Sequence, residues 1–368
     1  MRYIKNIIKY TLICIGIVAL LVVVNFFVVK KLDSDIIELE SDYPANEENN
    51  SVYKLDAKFI DGERFYLEVP LKNEKSILGF ADTGGGISML LGYSVEKHDL
   101  QKQVKKGVLK GFLPVDYIQL SDLVENSSFP KPDFPRNFII RHPFSRVTEP
   151  HLFIPPMDDE IKVIRENMPE MEMFLGQNFF MGKAWTIDYI NEQIWVNTPL
   201  SKTEYVKPNV QKIGFKKNSH NESIYGHPSM YVEIDGEVID VLFDTGATII
   251  LTEDGKKDLN TDKNTIGGSF IAASIFDKWR TAHPDWKYYP HADMSKDVIE
   301  VPQVKVGTFE VGPVLFAKRP DENWSEGMIH SMDKIVGGAI GGSVLQYLKV
   351  IIDYNSELIK FEKPALID

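Results

Sequence analysis

The tripeptide Asp-Thr-Gly occurs twice in this 368-residue chain, beginning at Asp82 and at Asp244. Each copy follows an apolar run, in "GFADTGGG" and "VLFDTGAT". One copy is expected by chance in roughly one chain in ten of this length, at ordinary residue frequencies. A single copy would be interpreted as a turn, because Asp and Gly favour turns. Two copies in the same setting indicate two carboxylates with one shared chemical role.

A second pair of similar segments lies downstream of the triplets. "LGQNFFMGKAWTIDYINEQIWV" (175–196) aligns without gaps with "IGGSVLQYLKVIIDYNSELIKF" (340–361). Gly176 falls on Gly341 and Asp188 on Asp353, an offset of 165 residues, while the triplets are offset by 162. Two signals repeated in the same order at nearly the same spacing indicate a duplicated unit. We interpret Asp188 and Asp353 as structural, since a turn after a strand explains them.

The residue types of the triplets suit a shared acid–base site. Two aspartates that meet across a pseudo-twofold axis cannot both ionise, so the pair would share one proton. The ionised member can act as general base on a water, and the protonated member can donate to a substrate carbonyl. Gly84 and Gly246 would let the backbone turn tightly and donate N–H groups to the carboxylates. Thr83 and Thr245 either hydrogen-bond across the junction of the two halves or are ordinary strand threonines.

The segments that must position these residues are predicted to be mostly β. Short runs rich in Val, Ile, Phe and Tyr alternate with turns from residue 51 onward, and Asp61-Gly62 and Asp235-Gly236 are strong hairpin signals. The best helix candidate is "DDEIKVIRENM" (158–168). The aromatic segment 277–290 is either a hydrophobic cluster beside the core or a cleft or partner loop.

The chain resembles the aspartic peptidases, in their single-chain, pepsin-like arrangement with retropepsin-like motifs. "FADTGGG" and "LFDTGAT" match the catalytic element, and "FLG" (174–176) and "AIG" (339–341) match the apolar-apolar-Gly element that follows it in each half. The resemblance covers residues 51–368. It implies an all-β fold of two pseudo-symmetric, β-barrel-like lobes, with Asp82 and Asp244 as the catalytic pair. It also implies a polypeptide substrate and neither a metal nor a cofactor.

The sequence departs from the pepsin-like pattern directly after each triplet. Where a Ser or Thr hydroxyl usually supports the carboxylate, this chain has Gly85 and Ala247. With fewer hydrogen bonds to the ionised form, the pKa values of the pair should lie higher. We therefore expect a pH optimum milder than that of acid digestive enzymes.

The family also implies a glycine-rich hairpin, the flap, that closes over the substrate. "KKGVLKGFLP" (105–114) contains Gly107 and Gly111, and "NTIGGSFIAA" (264–273) contains Gly267 and Gly268. Tyr117 is the nearest candidate for the tyrosine that pepsin-like flaps carry. The alternative is that both segments are ordinary surface turns.

The N-terminus predicts a membrane anchor. Basic residues precede "TLICIGIVALLVVVNFFVV" (11–29), which is about as long as a bilayer-spanning helix. The run ends without the small-residue pattern of a signal-peptide cleavage site, and Cys14 lies too early in it for a lipoprotein. We place the N-terminus in the cytoplasm and the large domain in the periplasm or at the cell surface. The predicted organisation is a cytoplasmic tail (1–10), a transmembrane helix (11–29), an acidic stalk (30–50), an N-terminal lobe (51–200), a connection (201–224) and a C-terminal lobe (225–368).

Composition and missing motifs exclude several classes of partner and of chemical site. A net charge of −12 argues against a nucleic-acid partner, and the single cysteine excludes an intramolecular disulfide and a cysteine cluster for zinc or iron–sulfur. No HExxH, GxSxG or P-loop motif is present. The oligomeric state is not predicted. The rival hypothesis is a pepsin-fold envelope protein that binds peptide or glycan in the cleft between the lobes without cutting.

Overall fold

The computed structural model describes residues 2–39, 51–124, 129–132, 138–142 and 145–363. These residues form several β-sheets and one long N-terminal apolar helix, so the predicted strand-rich composition is confirmed. Below, residues 51–200 are called the first half and residues 225–368 the second half.

The helices are few and mostly short. They are α1 (Arg2–Leu39), α2 (Gly92–Lys97), α3 (Leu120–Leu123), α4 (Asp159–Asn167), α5 (Gln177–Phe180), α6 (Glu253–Asp258), α7 (Ala273–Ala282) and α8 (Gly342–Leu345). Helix α4 confirms the helix predicted at 158–168, and the Asp158 side chain caps it by accepting a hydrogen bond from the Ile161 N–H. Helix α7 shows that the aromatic segment 277–290 is not a loop, because its Trp279 is buried in the main core.

Strands make up most of the remaining elements. In the chain up to residue 212 they are β1 (Tyr53–Leu55), β2 (Ala57–Ile60), β3 (Arg64–Pro70), β4 (Ser76–Ala81), β5 (Met89–Leu90), β6 (Lys105–Leu109), β7 (Leu113–Gln119), β8 (Arg141–His142), β9 (Ser145–Arg146), β10 (His151–Ile154), β11 (Met173–Leu175), β12 (Ala184–Asp188), β13 (Gln193–Val196) and β14 (Val210–Lys212). In the second half they are β15 (Ser229–Ile234), β16 (Glu237–Phe243), β17 (Thr248–Ile250), β18 (Thr265–Gly267), β19 (Ser269–Ala272), β20 (Lys287–Asp293), β21 (Lys296–Val301), β22 (Val304–Val306), β23 (Phe309–Val311), β24 (Val314–Arg319), β25 (Gly338–Ile340), β26 (Lys349–Asp353) and β27 (Leu358–Glu362).

Each half contributes one large sheet, and a third sheet contains strands of both. The first half forms the order β2-β3-β4-β11-β5-β10-β7-β6-β8-β9, and the second forms β20-β21-β24-β19-β25-β16-β15-β22-β23. The shared sheet has the order β1-β13-β12-β26-β27-β14, and a two-stranded sheet joins β17 to β18. In the shared sheet β12 pairs antiparallel with β26, from Ala184 opposite Asp353 to Asp188 opposite Lys349. The two repeated segments of the sequence are therefore direct neighbours.

The predicted hairpins form for a local reason. Asp61 and Gly62 both have positive φ, at 58° and 72°, and so do Asp235 and Gly236, at 53° and 75°. Two successive positive φ angles are what a two-residue type I′ turn requires, and the twist of that turn matches the twist of the strands it connects. The second turn joins β15 to β16 with two residues, since Ile234 pairs with Glu237. The first joins β2 to β3, where Ile60 pairs with Arg64, so Glu63 is a third residue of that loop.

The repeated aspartates Asp188 and Asp353 are structural, as predicted. Asp188 accepts hydrogen bonds from the backbone and side chain of Asn191 in the turn after β12. Asp353 accepts from the backbone N–H groups of Leu200, Asn355 and Ser356. Both carboxylates therefore hold the turns that follow their strands, and Asp353 also provides a partner for the buried Leu200 N–H.

Helix α1 is longer than the predicted transmembrane segment. It continues through residues 30–39, which the sequence assigns to the stalk, so this part of the stalk is helical rather than irregular. Residues 40–50 lie outside the described residues. By length and composition, residues 6–38 of this helix could cross a membrane.

Candidate active site

The two triplets follow equivalent strands in the two large sheets. Asp82 comes directly after β4, and its N–H donates to the Leu175 carbonyl at 2.9 Å. Asp244 comes directly after β16, and its N–H donates to the Ile340 carbonyl at 2.9 Å. The acceptors belong to β11 and β25, which lie parallel to β4 and β16. In both halves, the apolar-Gly segment noted in the sequence fixes the end of the strand that carries the aspartate.

The threonines of the triplets lock the two halves together. The Thr83 hydroxyl donates to the Phe243 carbonyl at 2.8 Å and accepts from the Thr245 N–H at 3.0 Å. The Thr245 hydroxyl donates to the Ala81 carbonyl at 2.9 Å and accepts from the Thr83 N–H at 3.1 Å. Both threonines are fully buried. Of the two roles left open by the sequence, the structure shows the hydrogen bond across the junction.

This interlock brings the two carboxyl groups into direct contact. The Asp82 and Asp244 side chains hydrogen-bond to each other. Within each triplet the glycine N–H donates to its own aspartate Oδ1 at 3.0 Å, Gly84 to Asp82 and Gly246 to Asp244. The aspartates differ in exposure, since Asp244 is buried and Asp82 is half-buried.

Each glycine also makes room for the aspartate of the other half. A Cβ on Gly84 would lie 2.4 Å from Cγ of Asp244, and a Cβ on Gly246 would lie 2.2 Å from Cγ of Asp82. No side chain fits at such distances, so glycine is required at both positions for the carboxyl groups to meet. The reciprocal contact explains why the whole triplet is duplicated, rather than the aspartate alone.

The contact raises the pKa of both aspartates. Burial, followed by the negative charge of Asp244, holds the pKa of Asp82 well above its usual value. Burial also raises the pKa of Asp244, but hydrogen bonds from Asp82 and from the Gly246 N–H oppose that shift. Two carboxyl groups this close hold one proton between them.

Comparisons with known proteins do not identify the chain. No family model and no curated protein matches it. Among solved structures it is similar to conglutin gamma, a basic 7S globulin from lupine seeds, at 8% identity. That match has a TM-score of 0.40 and covers 86% of this chain and 95% of the globulin. A similarity at this level carries no argument, so the functional inference rests on the geometry of the site.

The structure gives a reason for the glycine that follows the first triplet. A Cβ on Gly85 would lie 2.2 Å from Cζ of Phe174 and 2.9 Å from Cγ of Asp82. The Phe174 ring, from the "FLG" segment, occupies the space that a serine or threonine side chain would need. Sequence spacing could not show this, because the two residues are 89 positions apart.

His227 is a residue of the site that sequence reasoning missed. It belongs to the second half, is buried, and its Nε2 lies 2.9 Å from the Gly85 carbonyl oxygen. Burial lowers its pKa, so the ring is neutral and can donate to that oxygen. The sequence contains no motif around this histidine that could have revealed the contact.

Of the two predicted flap segments, only residues 105–114 form a hairpin among the described residues. Strands β6 and β7 pair antiparallel from Lys105 opposite Tyr117 to Leu109 opposite Leu113, with Gly107 in β6 and Gly111 at the turn. Tyr117 is buried and its hydroxyl lies 2.7 Å from Nε2 of His142, and its role as the flap tyrosine stays a prediction.

The prediction of a flap hairpin at 264–273 is wrong. Gly267 ends β18, which pairs with β17, whereas Gly268 leads into β19, which pairs with β24 and β25. Both glycines are buried, and the Gly267 N–H donates to Oε2 of Glu63 from the first half at 2.6 Å. A glycine pair cannot show from sequence alone whether a chain turns back or changes partner strands.

A pocket of about 370 Å³ opens beside Asp244. Its wall is mainly apolar, with Phe270 and Leu242 on the strands and Trp324 and Met328 on the segment before β25. Arg319 is its basic member, and this guanidinium pairs with Asp293 at 2.6 Å and stacks on the Phe270 ring. The pocket could hold an apolar side chain next to the carboxyl pair.

Proposed function

We propose that this chain is an aspartic endopeptidase in which Asp82 and Asp244 activate a water molecule to hydrolyse a peptide bond. The observation that supports this most strongly is the reciprocal packing of each triplet glycine against the opposite aspartate. That packing places a buried and a half-buried carboxyl group in contact, at a cost that a purely structural turn would have no reason to bear. No cofactor enters the proposal.

The chemistry needs only the shared proton and a water. In this proposal Asp82 holds the shared proton and Asp244 is ionised, and the reverse assignment gives the same chemistry. Asp244 accepts a proton from the water as the oxygen attacks the carbonyl carbon, and Asp82 donates its proton to the carbonyl oxygen. The tetrahedral diol then collapses: the C–N bond breaks, the nitrogen takes up the proton that Asp244 accepted, and one diol hydroxyl gives its proton to Asp82 as the carboxylic acid forms. One peptide bond and one water become a carboxylic acid and an amine, and the pair again holds one proton.

The proposed architecture is two pseudo-symmetric lobes, the first and second halves, related by a twofold axis through the carboxyl pair. In its favour, β12 and β26 pair at the centre of the shared sheet and the threonine contacts are reciprocal. A polypeptide substrate would lie extended along the cleft between the lobes, with an apolar side chain in the pocket beside Asp244.

The proposal includes a single-pass membrane anchor. Helix α1 would span the bilayer with the N-terminus in the cytoplasm, which places the catalytic domain in the periplasm or at the cell surface. The described residues 3–24 of α1 are all exposed apart from Lys5, whose side chain is not described, so lipid rather than protein would cover them.

Peptide cleavage by carboxylate variants tests the proposal. The full chain in detergent or nanodiscs is incubated with a diverse peptide library, beside Asp82→Asn, Asp244→Asn and the matched control Asp240→Asn. Asp240 lies on β16, four residues before Asp244, and pairs with Lys334 at the surface. We expect kcat/KM to fall at least 10³-fold in the first two variants and to stay within twofold of the parent in the control. A folded parent that binds peptides but cuts none would instead support the non-catalytic binding protein.

A further inference from the structure

The C-terminal third of α1 lies against the domain instead of standing free of it. Asn25, Val29, Asp33 and Ile36 follow a helical spacing and form one partly or fully buried face. Over this segment the helix is part of the folded domain. The depth of α1 in a bilayer would therefore set the depth of the domain residues that contact it.

The turn of the β6–β7 hairpin contacts the N-terminal end of this packed segment of α1. The Asn25 side-chain amide donates to the Gly111 carbonyl at 2.7 Å, and the Phe26 and Phe112 rings pack edge to face at 5.8 Å. Gly111 has φ +79°, and a Cβ there would lie 2.8 Å from Nδ2 of Asn25 and 2.9 Å from Cγ2 of Val29. The turn therefore fits closely against the helix. It also gives a partner to Asn25, the polar residue of the apolar run.

Further contacts with the domain hold the part of α1 that is C-terminal to Asn25. Arg141 of the domain binds Asp33 at 2.6 Å, with both side chains largely shielded from solvent. The Asn218 side chain donates to the Ile37 carbonyl at 3.2 Å, and the Ser219 hydroxyl donates to the Glu38 carbonyl at 2.7 Å. The hairpin and the helix are thus connected through several contacts on one face of the domain.

The charges along α1 fix how deep Asn25 must lie. Residues 10–29 are uncharged, between Lys9 and Lys30. As a helix, with a rise of ~1.5 Å per residue, these twenty residues have the same length as the thickness of a hydrocarbon core, ~30 Å. Asn25 precedes Lys30 by five residues, which puts it roughly 7 Å on the lipid side of that lysine. The hairpin turn that contacts Asn25 must then reach a similar depth.

The composition of the turn suits that position. Phe112 is 45% exposed and Leu113 is 43% exposed, side by side at the tip, and the exposed Lys110 precedes them. Apolar and aromatic side chains flanked by a lysine are typical of segments that enter the boundary between lipid headgroups and acyl chains by ~5–10 Å.

We propose that residues 110–114 of this hairpin insert into the headgroup–acyl boundary beside α1 and form a second membrane contact of the domain. The inference rests on the membrane anchorage included in the proposed function, but not on peptidase activity. Two contacts on one rigid surface would hold the domain in a fixed orientation, whereas a helix with a loose linker would let it rotate.

Site-specific fluorescence quenching in vesicles tests this insertion. The full chain is reconstituted into phosphatidylcholine–phosphatidylglycerol vesicles that carry a doxyl quencher on the upper acyl chain. A bimane label is placed in turn on the native Cys14, on Phe112→Cys and on Val238→Cys, the last two in a Cys14→Ser background. Val238 is an equally apolar, exposed position next to a hairpin turn of the second half, and it serves as the matched control.

We expect the labels at positions 14 and 112 to be quenched at least twofold more strongly than the label at 238. If position 14 is quenched while 112 behaves like 238, the anchor stands and the insertion of the hairpin is refuted. If 112 and 238 are quenched equally strongly, the contact is not specific to the hairpin and the proposal is also refuted. If position 14 is not quenched, α1 is outside the bilayer, which overturns the anchorage and the second contact together, while the peptidase proposal is untouched.

Discussion

At the scale of single residues, the site depends on glycines that leave space for side chains packed against them. Gly84 and Gly246 admit the opposite carboxyl groups, and Gly85 admits the Phe174 ring. The duplication made the aspartates, threonines and triplet glycines predictable from sequence, because each occurs twice at matching spacing. Phe174 and His227 were not predictable as partners of the first triplet, since their contacts with Gly85 depend on folding and leave no periodic signal.

The raised pKa of Asp82 predicts a characteristic pH dependence of stability. A carboxyl group whose pKa is higher in the folded state binds its proton more tightly there, so its stabilising effect is present at low pH. That effect is lost as pH rises from the unfolded value, near 4, through the folded pKa. The asparagine in Asp82→Asn does not titrate, so the variant does not lose stability in this way as pH rises. We expect its free energy of unfolding relative to the parent to increase between pH 4 and pH 7, by ~1.4 kcal/mol per unit of pKa shift.

Thermal unfolding of the parent, Asp82→Asn and Asp240→Asn at both pH values measures this effect. A difference in Tm between Asp82→Asn and the parent that does not change with pH would show that Asp82 titrates normally in the folded protein. Asp240→Asn is the control for the loss of a carboxylate elsewhere on β16, since Asp240 pairs with Lys334 at 3.1 Å.

The contact between Gly85 and Phe174 predicts a compensating pair of substitutions. Gly85→Ser places new atoms within the Phe174 ring, and overpacking of this kind costs ~1–3 kcal/mol of stability. Phe174→Leu shortens the opposing side chain and should recover much of that loss in the double variant. Urea unfolding of the two single variants and the double variant gives the coupling. Strictly additive losses would mean that Phe174 is not what excludes a side chain at position 85.

At the scale of elements, the ends of two strands position the two aspartates. Strands β4 and β16 carry the aspartates, and the parallel strands β11 and β25 fix their ends. Sequence predicted the Asp-Gly hairpins because a type I′ turn depends only on two adjacent residues. It failed at 264–273 because the partners of β18 and β19 are chosen by distant strands, and because Glu63 of the first half occupies the space beside Gly267.

The threonine interlock between these strand ends predicts a strong effect of a near-isosteric change. Thr83→Val removes the hydroxyl, which leaves the Thr245 N–H and the Phe243 carbonyl buried without partners. Each unpaired buried group costs ~1–3 kcal/mol, so we expect a total loss of ~2–4 kcal/mol. Thr83→Ser keeps both hydrogen bonds and should lose only ~1 kcal/mol for its missing methyl group. Equal losses in the two variants, measured by urea unfolding, would show that the hydroxyl contributes nothing.

At the scale of the whole molecule, the two halves cannot be separated without exposing core. The shared sheet places β12 of the first half against β26 of the second, and one hydrophobic cluster includes Trp185 and Ile352 from the two sides. The duplication in sequence predicted two similar halves, but not that their repeated segments are adjacent strands. Alignment shows which segments correspond, whereas pairing between them is a property of the assembled fold.

The shared sheet predicts a single unfolding transition for residues 51–363. Separation of the halves would break the β12–β26 ladder and expose the common cluster, so neither half should persist when the other unfolds. Differential scanning calorimetry of the full chain in detergent should give one endotherm with equal calorimetric and van't Hoff enthalpies. Two resolved endotherms would show that the halves are independent folding units.

The most direct test of the central claim, one proton shared by two carboxyl groups, is the pH–rate profile of peptide cleavage by the full chain. We expect a bell-shaped dependence of kcat/KM on pH. Activity is lost on the acid side when both carboxyl groups are protonated, and on the alkaline side when both are ionised. Since burial raises the pKa of both groups, the maximum should lie above about pH 3. A rate that changes in one direction only between pH 3 and pH 8, or a bell that survives in Asp82→Asn, would contradict the account.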